Sequence, residues 1–269
     1  MRSWGFLLSR RWVLFAITVA LLAWAAWWLG GWQFDRLEDR KARNAMIERN
    51  EAAPPADVTD VMPREGTVTA QDEWRTITAT GDYDETDTVI VRYRSRDGAQ
   101  GVDVVVPLVL EDGTAILVGR GWVATASRSV DRFDVPEPPA GEVTLTGWVR
   151  RNGTGDSTAV SSQSTRAISS TAIGEALGGR ELRNGFVDLE SEDPEPADPL
   201  ARAELPDLDN GPHFFYGLQW WFFGVLALFG FGYLAWDERR GPGAKRRRRQ
   251  ASERAEHAAV DGEHHARNE

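Results

Sequence analysis

Apolar and polar positions divide the chain into three blocks. Two runs, Trp12 to Phe34 and Phe214 to Trp236, each pass 23 residues without a charge. At about 1.5 Å of helical rise per residue, each reaches roughly 34 Å, enough for a hydrocarbon core of about 30 Å. The block between them follows a different rhythm. Arg75 to Thr80, ending at Gly81, and Thr88 to Tyr93, where Val89, Val91 and Tyr93 alternate, predict strands. Val102 to Leu110 is apolar and β-branched, Glu111-Asp112-Gly113 is a turn, and Thr114 to Val118 returns, which predicts a hairpin. Pro107 inside the outgoing strand predicts an edge position or a bulge there. Val143 to Val149 and a short Gly185 to Leu189 complete the strands.

Helical signals in the middle block are few. Ser169 to Leu177 reads as one short helix, capped by Ser and ended by Gly178-Gly179. Residues 33–50 are polar with few β-branched positions and read as helix continuing out of the first run. Residues 51–65, with Pro54, Pro55 and Pro63, read as linker, residues 152–166 as a flexible Ser/Thr/Gly loop, and residues 191–209 as an acidic loop leading back to the membrane. Strands this close together favour an antiparallel sheet. The expected fold is an α+β membrane protein. It has an N-terminus (1–11), a transmembrane helix (12–34), an extracytoplasmic, mainly antiparallel β domain (35–212), a second transmembrane helix (213–236) and a basic, disordered tail (237–269).

Charge supports a two-span topology with both termini cytoplasmic. Lys245 to Arg249 are basic without interruption beyond the second run, and Arg2, Arg10 and Arg11 flank the first; Lys and Arg favour the cytoplasmic side. Arg36, Arg40, Lys41, Arg43 and Arg49 lie on the outer side, but acids are interleaved with them, and long domains translocate largely regardless of charge. Lys245 to Arg249 also invites a nucleic-acid or anionic-lipid reading; a stop-transfer anchor lying against acidic lipid accounts for it more simply. The N-terminal outline also fits a secretory signal peptide, with Ala23-Trp24-Ala25 as a cleavage site. The run continues through Trp27, Trp28 and Trp32, which reads as an uncleaved anchor.

Residues 35–212 carry 34 acidic and 19 basic side chains, a net of −15. Such a domain repels phosphates, so nucleic acid is not an expected partner. With no cysteine in the chain, thiolate metal sites, disulfides and thiol catalysis are excluded. Histidine occurs only at 213, 257, 264 and 265, so the middle block cannot hold a Ser-His-Asp triad or a His-based metal site. A carboxylate pair could hydrolyse glycosides, but no spacing singles one out. Gly119-Arg120-Gly121-Trp122-Val123-Ala124 has the form GxGxxA, yet it continues as strand where a dinucleotide site needs a helix.

His213 stands at the mouth of the second run. On a helix beginning there, Tyr216 and Trp220 share its face at i+3 and i+7. One reading is an interfacial histidine in an aromatic belt. The other is a haem-iron ligand, a neutral imidazole beside flat aromatic surface at the outer membrane face.

Several segments together resemble a known family. Leu29-Gly30-Gly31-Trp32-Gln33-Phe34-Asp35-Arg36 leaves the first run, and Val118-Gly119-Arg120-Gly121-Trp122-Val123 follows the hairpin. Gly141-Glu142-Val143 leads to Gly147-Trp148-Val149-Arg150, and His213-Phe214-Phe215-Tyr216 opens the second run, with Trp220 beyond. In this order, between two end-placed spans, they resemble the surfeit locus proteins, assembly factors of cytochrome c oxidase. The resemblance implies a non-enzymatic role in a bacterial plasma membrane, assisting maturation of subunit I of an aa3-type oxidase. The implied cargo is haem a, held in passing, with haem a synthase as a further partner. It also implies that His213 is the iron ligand, with Tyr216 and Trp220 on its face and Trp32 at the matching end of the other span. An envelope scaffold or sensor, whose spans only tether, is the alternative.

Overall fold

The computed structural model describes residues 4–125 and 135–240. The run Lys245 to Arg249, the tail histidines and most of the expected disordered tail lie outside the described residues. Two compact units divide the chain, Ala42–Leu208 and the pair Met1–Lys41 with Asp209–Glu269.

Unit Ala42–Leu208 is built on strands β1 (Ala56–Asp57), β2 (Thr76–Tyr83), β3 (Val89–Arg96), β4 (Ala99–Leu110), β5 (Ala115–Ala124), β6 (Glu142–Arg150), β7 (Ser164–Thr165) and β8 (Phe186–Asp193). Neighbours run β1-β2-β6-β8-β5-β4-β3-β7, and β2 also pairs with β4. That extra pairing closes β2, β4, β5, β8 and β6 into a five-stranded barrel with the connectivity of an OB-type Greek key. Most pairs are antiparallel; β1–β2, β3–β7 and β5–β8 are parallel. The barrel interior holds Ile77, Leu108, Ile116, Val118, Leu145, Val149, Val187 and Leu189. Outside it, Val89, Val91, Val105 and Leu117 pack with Ile168 and with Ile173 of the short helix. Strands β4 and β5 are thus covered on both faces, which is why their apolar residues run without alternation.

Closure depends on a glycine. The β2 strand does not end at Gly81 but continues to Tyr83, and Gly81 pairs with Leu110 of β4. A Cβ at position 81 would overlap the carbonyl of Val109, so the strands approach this closely only because none is present. Pro107 is neither on an edge strand nor at the bulge. It lies where β4 changes neighbour, after its last pair with β3 at Val105 and before its first with β2 at Leu108, so no partner asks for its missing N–H. The bulge falls earlier, between Val104 and Val105, and the extra residue is Arg120 on β5.

Three further segments differ from the sequence reading. Residues 51–65 are not plain linker: they hold β1 and helix α2 (Val58–Val61), and Val58 and Met62 are buried in the barrel core. Residues 152–166 are not a free loop: β7 pairs with β3, and Thr165 Oγ1 donates to Ala167 O at 2.9 Å. The last strand is eight residues long, not a stub. The short helix α3 (Ser170–Ala176) is as expected, with Ser169 as its N-cap.

Two buried arginines organise polar contacts within this unit. Arg183 donates to Thr114 Oγ1 (3.0 Å), Met62 O (2.6 Å) and Asp112 Oδ2 (2.6 Å), tying the β4–β5 turn to the α2 segment. Arg120, turned by the bulge, donates to Pro136 O at 2.7 Å and Glu137 O at 3.1 Å, and its guanidinium lies 5.6 Å from the Tyr83 ring centre. Tyr83 and Arg202 both donate to the buried Glu192 carboxylate, at 2.9 and 2.8 Å. Burial, then the Glu192 charge, pushes the Tyr83 hydroxyl well up, so it stays a donor.

The other unit is helical. Helix α1 (Arg10–Ala52) is continuous, and its last turns, from Ala42, belong to the β unit. There Asn50 donates to Gln71 O and Glu73 O, and Asn44 to Leu208 O. Its partner in the helical unit is α4 (His213–Arg240). Val19, Ala23, Ala26, Gly30, Gln33 and Leu37 are covered in alternating steps of four and three, the heptad spacing of a helix pair. On α4, Gly217, Trp221, Gly224, Phe231 and Ala235 keep the same rhythm. Small residues let the helices close: a Cβ at Gly217 would sit 2.7 Å from Phe34 Cε2, and one at Gly224 would sit 3.3 Å from Ala26 Cβ. Outward-facing residues are large and apolar; Trp24 is 66% exposed, Phe222 62% and Phe229 70%. Both helices are long and apolar enough to cross a membrane.

Candidate functional site

Residues 209–213 make the turn that starts α4. Gly211 has φ +68, a value that favours glycine, and its N–H donates to Asp209 Oδ1 at 3.0 Å. Arg40 on α1 donates from Nε to the carbonyl of Asp209. The first helical turn closes with Tyr216 N–H donating to Pro212 O at 3.1 Å. His213 is therefore held at the very start of α4, half-buried, against the last apolar turns of α1.

Its ring is fixed from α1. The amide oxygen Oε1 of Gln33 lies 2.8 Å from His213 Nδ1. With an oxygen facing it, Nδ1 is the donor, and in the neutral imidazole that tautomer leaves the lone pair on Nε2. Nε2 has no partner among the described residues. A histidine whose one nitrogen is held and whose other is free is the arrangement found in metal-bound imidazoles. Among the described residues no three His, Cys, Asp or Glu side chains cluster as a metal site.

The other three expected residues take different positions. Tyr216 is 47% exposed on the helix surface. Trp220 is half-buried, edge-on to Phe223 at 6.1 Å. Trp32 is 42% exposed, with the Arg36 guanidinium 5.6 Å from its ring centre. Successive residues of a helix point about 100° apart, so Trp32 and Gln33 face different ways, and the bond to His213 is made by Gln33. The aromatic residue that enters the seam is Trp221. Its ring stacks on Trp27 at 5.3 Å, meets Phe34 at 4.8 Å and donates from Nε1 to Trp27 O at 3.3 Å. A Cβ on Gly30 would overlap that indole. Gln33, Gly30, Gly217 and Trp221 were not read from the sequence as site residues. The heptad spacing of small residues along α1 was the signal that could have found the first two.

The sequence model of the SURF1 family matches residues 20–225, from inside the first apolar helix to inside the second. The chain belongs to the SURF1 family. SURF1 proteins are known generally as cytochrome oxidase assembly factors, and they are the surfeit locus proteins that the ordered segments resemble. Uncharacterized SURF1-like proteins of Mycobacterium bovis and Mycobacterium tuberculosis are 30% identical to this chain over 254 residues, covering 92% of it and 91% of each relative. The match takes in Gln33, His213 and the whole barrel. The structure gives these SURF1 segments separate tasks. Gly30 to Phe34 forms the α1 side of the helix seam, and Gly119 to Trp122 forms the bulged strand.

Proposed function

We propose that this protein is a membrane-anchored assembly factor for an aa3-type cytochrome c oxidase that assists haem a delivery to, or maturation of, subunit I. The observation that carries the reading is the Gln33–His213 pair at one end of the two apolar helices, with His213 Nε2 free. A haem iron accepts a neutral imidazole nitrogen, and Phe34 and Phe214, the chain neighbours of Gln33 and His213, meet edge-on at 6.1 Å and supply flat apolar surface beside the pair. The residues fit the cargo. His213 would bind iron through Nε2, Gln33 would hold the ring, and the helix pair would keep the bound macrocycle out of bulk water. Haem a itself supplies the redox chemistry once it is in the oxidase. The role is non-enzymatic: the protein holds cargo and presents it.

In this reading both apolar helices span a bacterial plasma membrane, both termini are cytoplasmic, and the barrel unit faces outward. Subunit I receives the cargo, and haem a synthase is the natural donor. The topology is supported by Arg2, Arg10 and Arg11 at one end and by the basic run after α4 at the other.

Purification in mild detergent from cells that make haem a tests the proposal. The expected visible spectrum contains haem a, and His213→Ala loses it while circular dichroism is unchanged. Equal haem in the variant would remove His213 from the role. A deletion strain with normal oxidase haem a absorbance would leave only the tethered scaffold.

A further inference from the structure

The barrel has a cleft that the reading above does not use. It occupies 330 Å³ on the outer face and is lined by Arg94 and Arg96 of β3, Asp103 of β4, Trp122 of β5, Arg150 of β6 and Asp188 of β8, with the Glu204 carboxylate as a third acid beside them. Register explains the gathering. Arg94 pairs with Gly101, Arg96 with Ala99, and Asp103 with Trp122, so alternation sends these side chains to one face. The Arg120 bulge matters here, because the extra residue resets the alternation of β5 and turns Trp122 outward. The floor is nearly bare backbone. A Cβ on Gly119 would sit 3.1 Å from Asp188 Oδ1, so the bare backbone there keeps the cleft open.

We propose that this cleft binds a compact oxyanion, the carboxylate or phosphate group of a small ligand, between the Arg96 guanidinium and the Trp122 indole N–H. The two inner acids are already matched. Arg94 Nε lies 2.8 Å from Asp103 Oδ2, and Arg150 donates to Asp188 Oδ2 at 2.5 Å. Burial pushes both carboxyls up from their usual range. Arg96 has no ion-pair partner among the described residues. Trp122 Nε1 is buried without a hydrogen-bond acceptor, and a buried donor left unpaired costs free energy until something accepts from it. An oxyanion satisfies both groups at once.

Arginines on a strand beside a free edge also guard against edge-to-edge pairing, and β7 covers β3 only at Ile90 and Val91. A guard needs neither a glycine floor nor a buried, unpaired indole N–H. In barrels of this connectivity the outer face of the second and third strands, here β4 and β5, is the usual ligand surface. Such an analogy indicates where to look, and the named side chains make the site.

The test uses the full chain in detergent, with tryptophan indoles labelled with nitrogen-15 and the Trp122 signal assigned through Trp122→Phe. Inorganic phosphate and succinate are titrated separately. The expected result is a saturable shift of the Trp122 indole signal with at least one of them, weakened about tenfold or more in Arg96→Gln. The stronger of the two identifies a tetrahedral or a planar oxyanion. No saturable shift with either probe would overturn the proposal, and so would an equal affinity in Arg96→Gln. His213→Ala is expected to titrate like the parent protein, since the cleft lies wholly within the barrel unit.

Discussion

Gln33 Oε1 accepts a hydrogen bond from His213 Nδ1 at 2.8 Å, across 180 positions of sequence. This contact sets which ring nitrogen is free. Gln33→Leu removes the acceptor, and haem affinity is expected to fall roughly 10- to 100-fold, as it does when such a supporting group is lost from a metal-bound histidine. Gln33→Glu keeps an acceptor and should bind haem at least as well. Titration of the detergent-purified protein, followed at the Soret band, separates the two. Equal affinity in Gln33→Leu would mean that Gln33 only ties the helices together.

Adjacent glycines on α1 make opposite predictions. A Cβ on Gly30 overlaps the Trp221 indole, whereas one on Gly31 meets nothing within 4 Å. Gly30→Ala is expected to destabilise the helix pair by about 1–3 kcal/mol, the usual range for overpacking. Gly31→Ala should be neutral or stabilising by up to about 1 kcal/mol, from helix propensity alone. Thermal unfolding in detergent, followed by helical circular dichroism, reads both.

At the barrel seam, Gly81→Ala puts a methyl group into the Val109 carbonyl. Strands β2 and β4 must part to accept it, and they pair at only three positions. The expected loss is about 3 kcal/mol. Denaturant unfolding monitored by tryptophan fluorescence measures it. Gly98→Ala makes a poor control, because Gly98 has φ +79; Gly31→Ala, away from the barrel, is the better one.

Asp112 gives a pH signature. Hydrogen bonds from the Thr114 hydroxyl and N–H, and then from Arg183, hold its carboxyl down to about 2 from an ordinary 3.8. A lowered folded-state value means that the ionised group stabilises the fold above the unfolded value, and that this contribution is lost as pH falls toward 2. Asp112→Asn is expected to cost about 1 kcal/mol at neutral pH, a figure reduced for its half-exposed position. The difference from the parent should close between pH 4 and pH 2. Stability curves measured at several pH values check the sign, and a gap that widens in acid would contradict it.

Much of the fold was legible because period and punctuation agreed. The β4–β5 hairpin had its turn at Glu111-Asp112-Gly113, α3 had its Ser169 cap, and the end helices had length and apolarity. Other elements were hidden for physical reasons. Gly81 looks like a strand end, but its lack of a side chain serves barrel closure, which depends on a neighbour about thirty residues away. Residues 152–166 have few core side chains, yet Ser157 O accepts from the Thr165 hydroxyl and from the Arg166 and Ala167 N–H groups, an order that composition alone did not reveal. At the candidate site, His213 was legible as a lone histidine at a helix entrance. Gln33 was not, because a polar residue in an apolar run acquires meaning only when the opposing helix is known. Trp32 entered through the family resemblance, although the helix turns it to another side than Gln33.

The bulge at Arg120 has a consequence for how this stretch can change over time. Side chains before it and after it are in opposite phase along β5, and the extra residue is what reconciles them. Substitutions at Gly119 or Trp122 alter one surface each. Deleting Gly119 or Arg120 would restore simple alternation, leaving Trp122 outward but taking the arginine away from the Tyr83–Glu192 network. Related chains are therefore expected to differ here in residue identity but not in length, so aligned sequences should show no gap from Leu117 to Trp122.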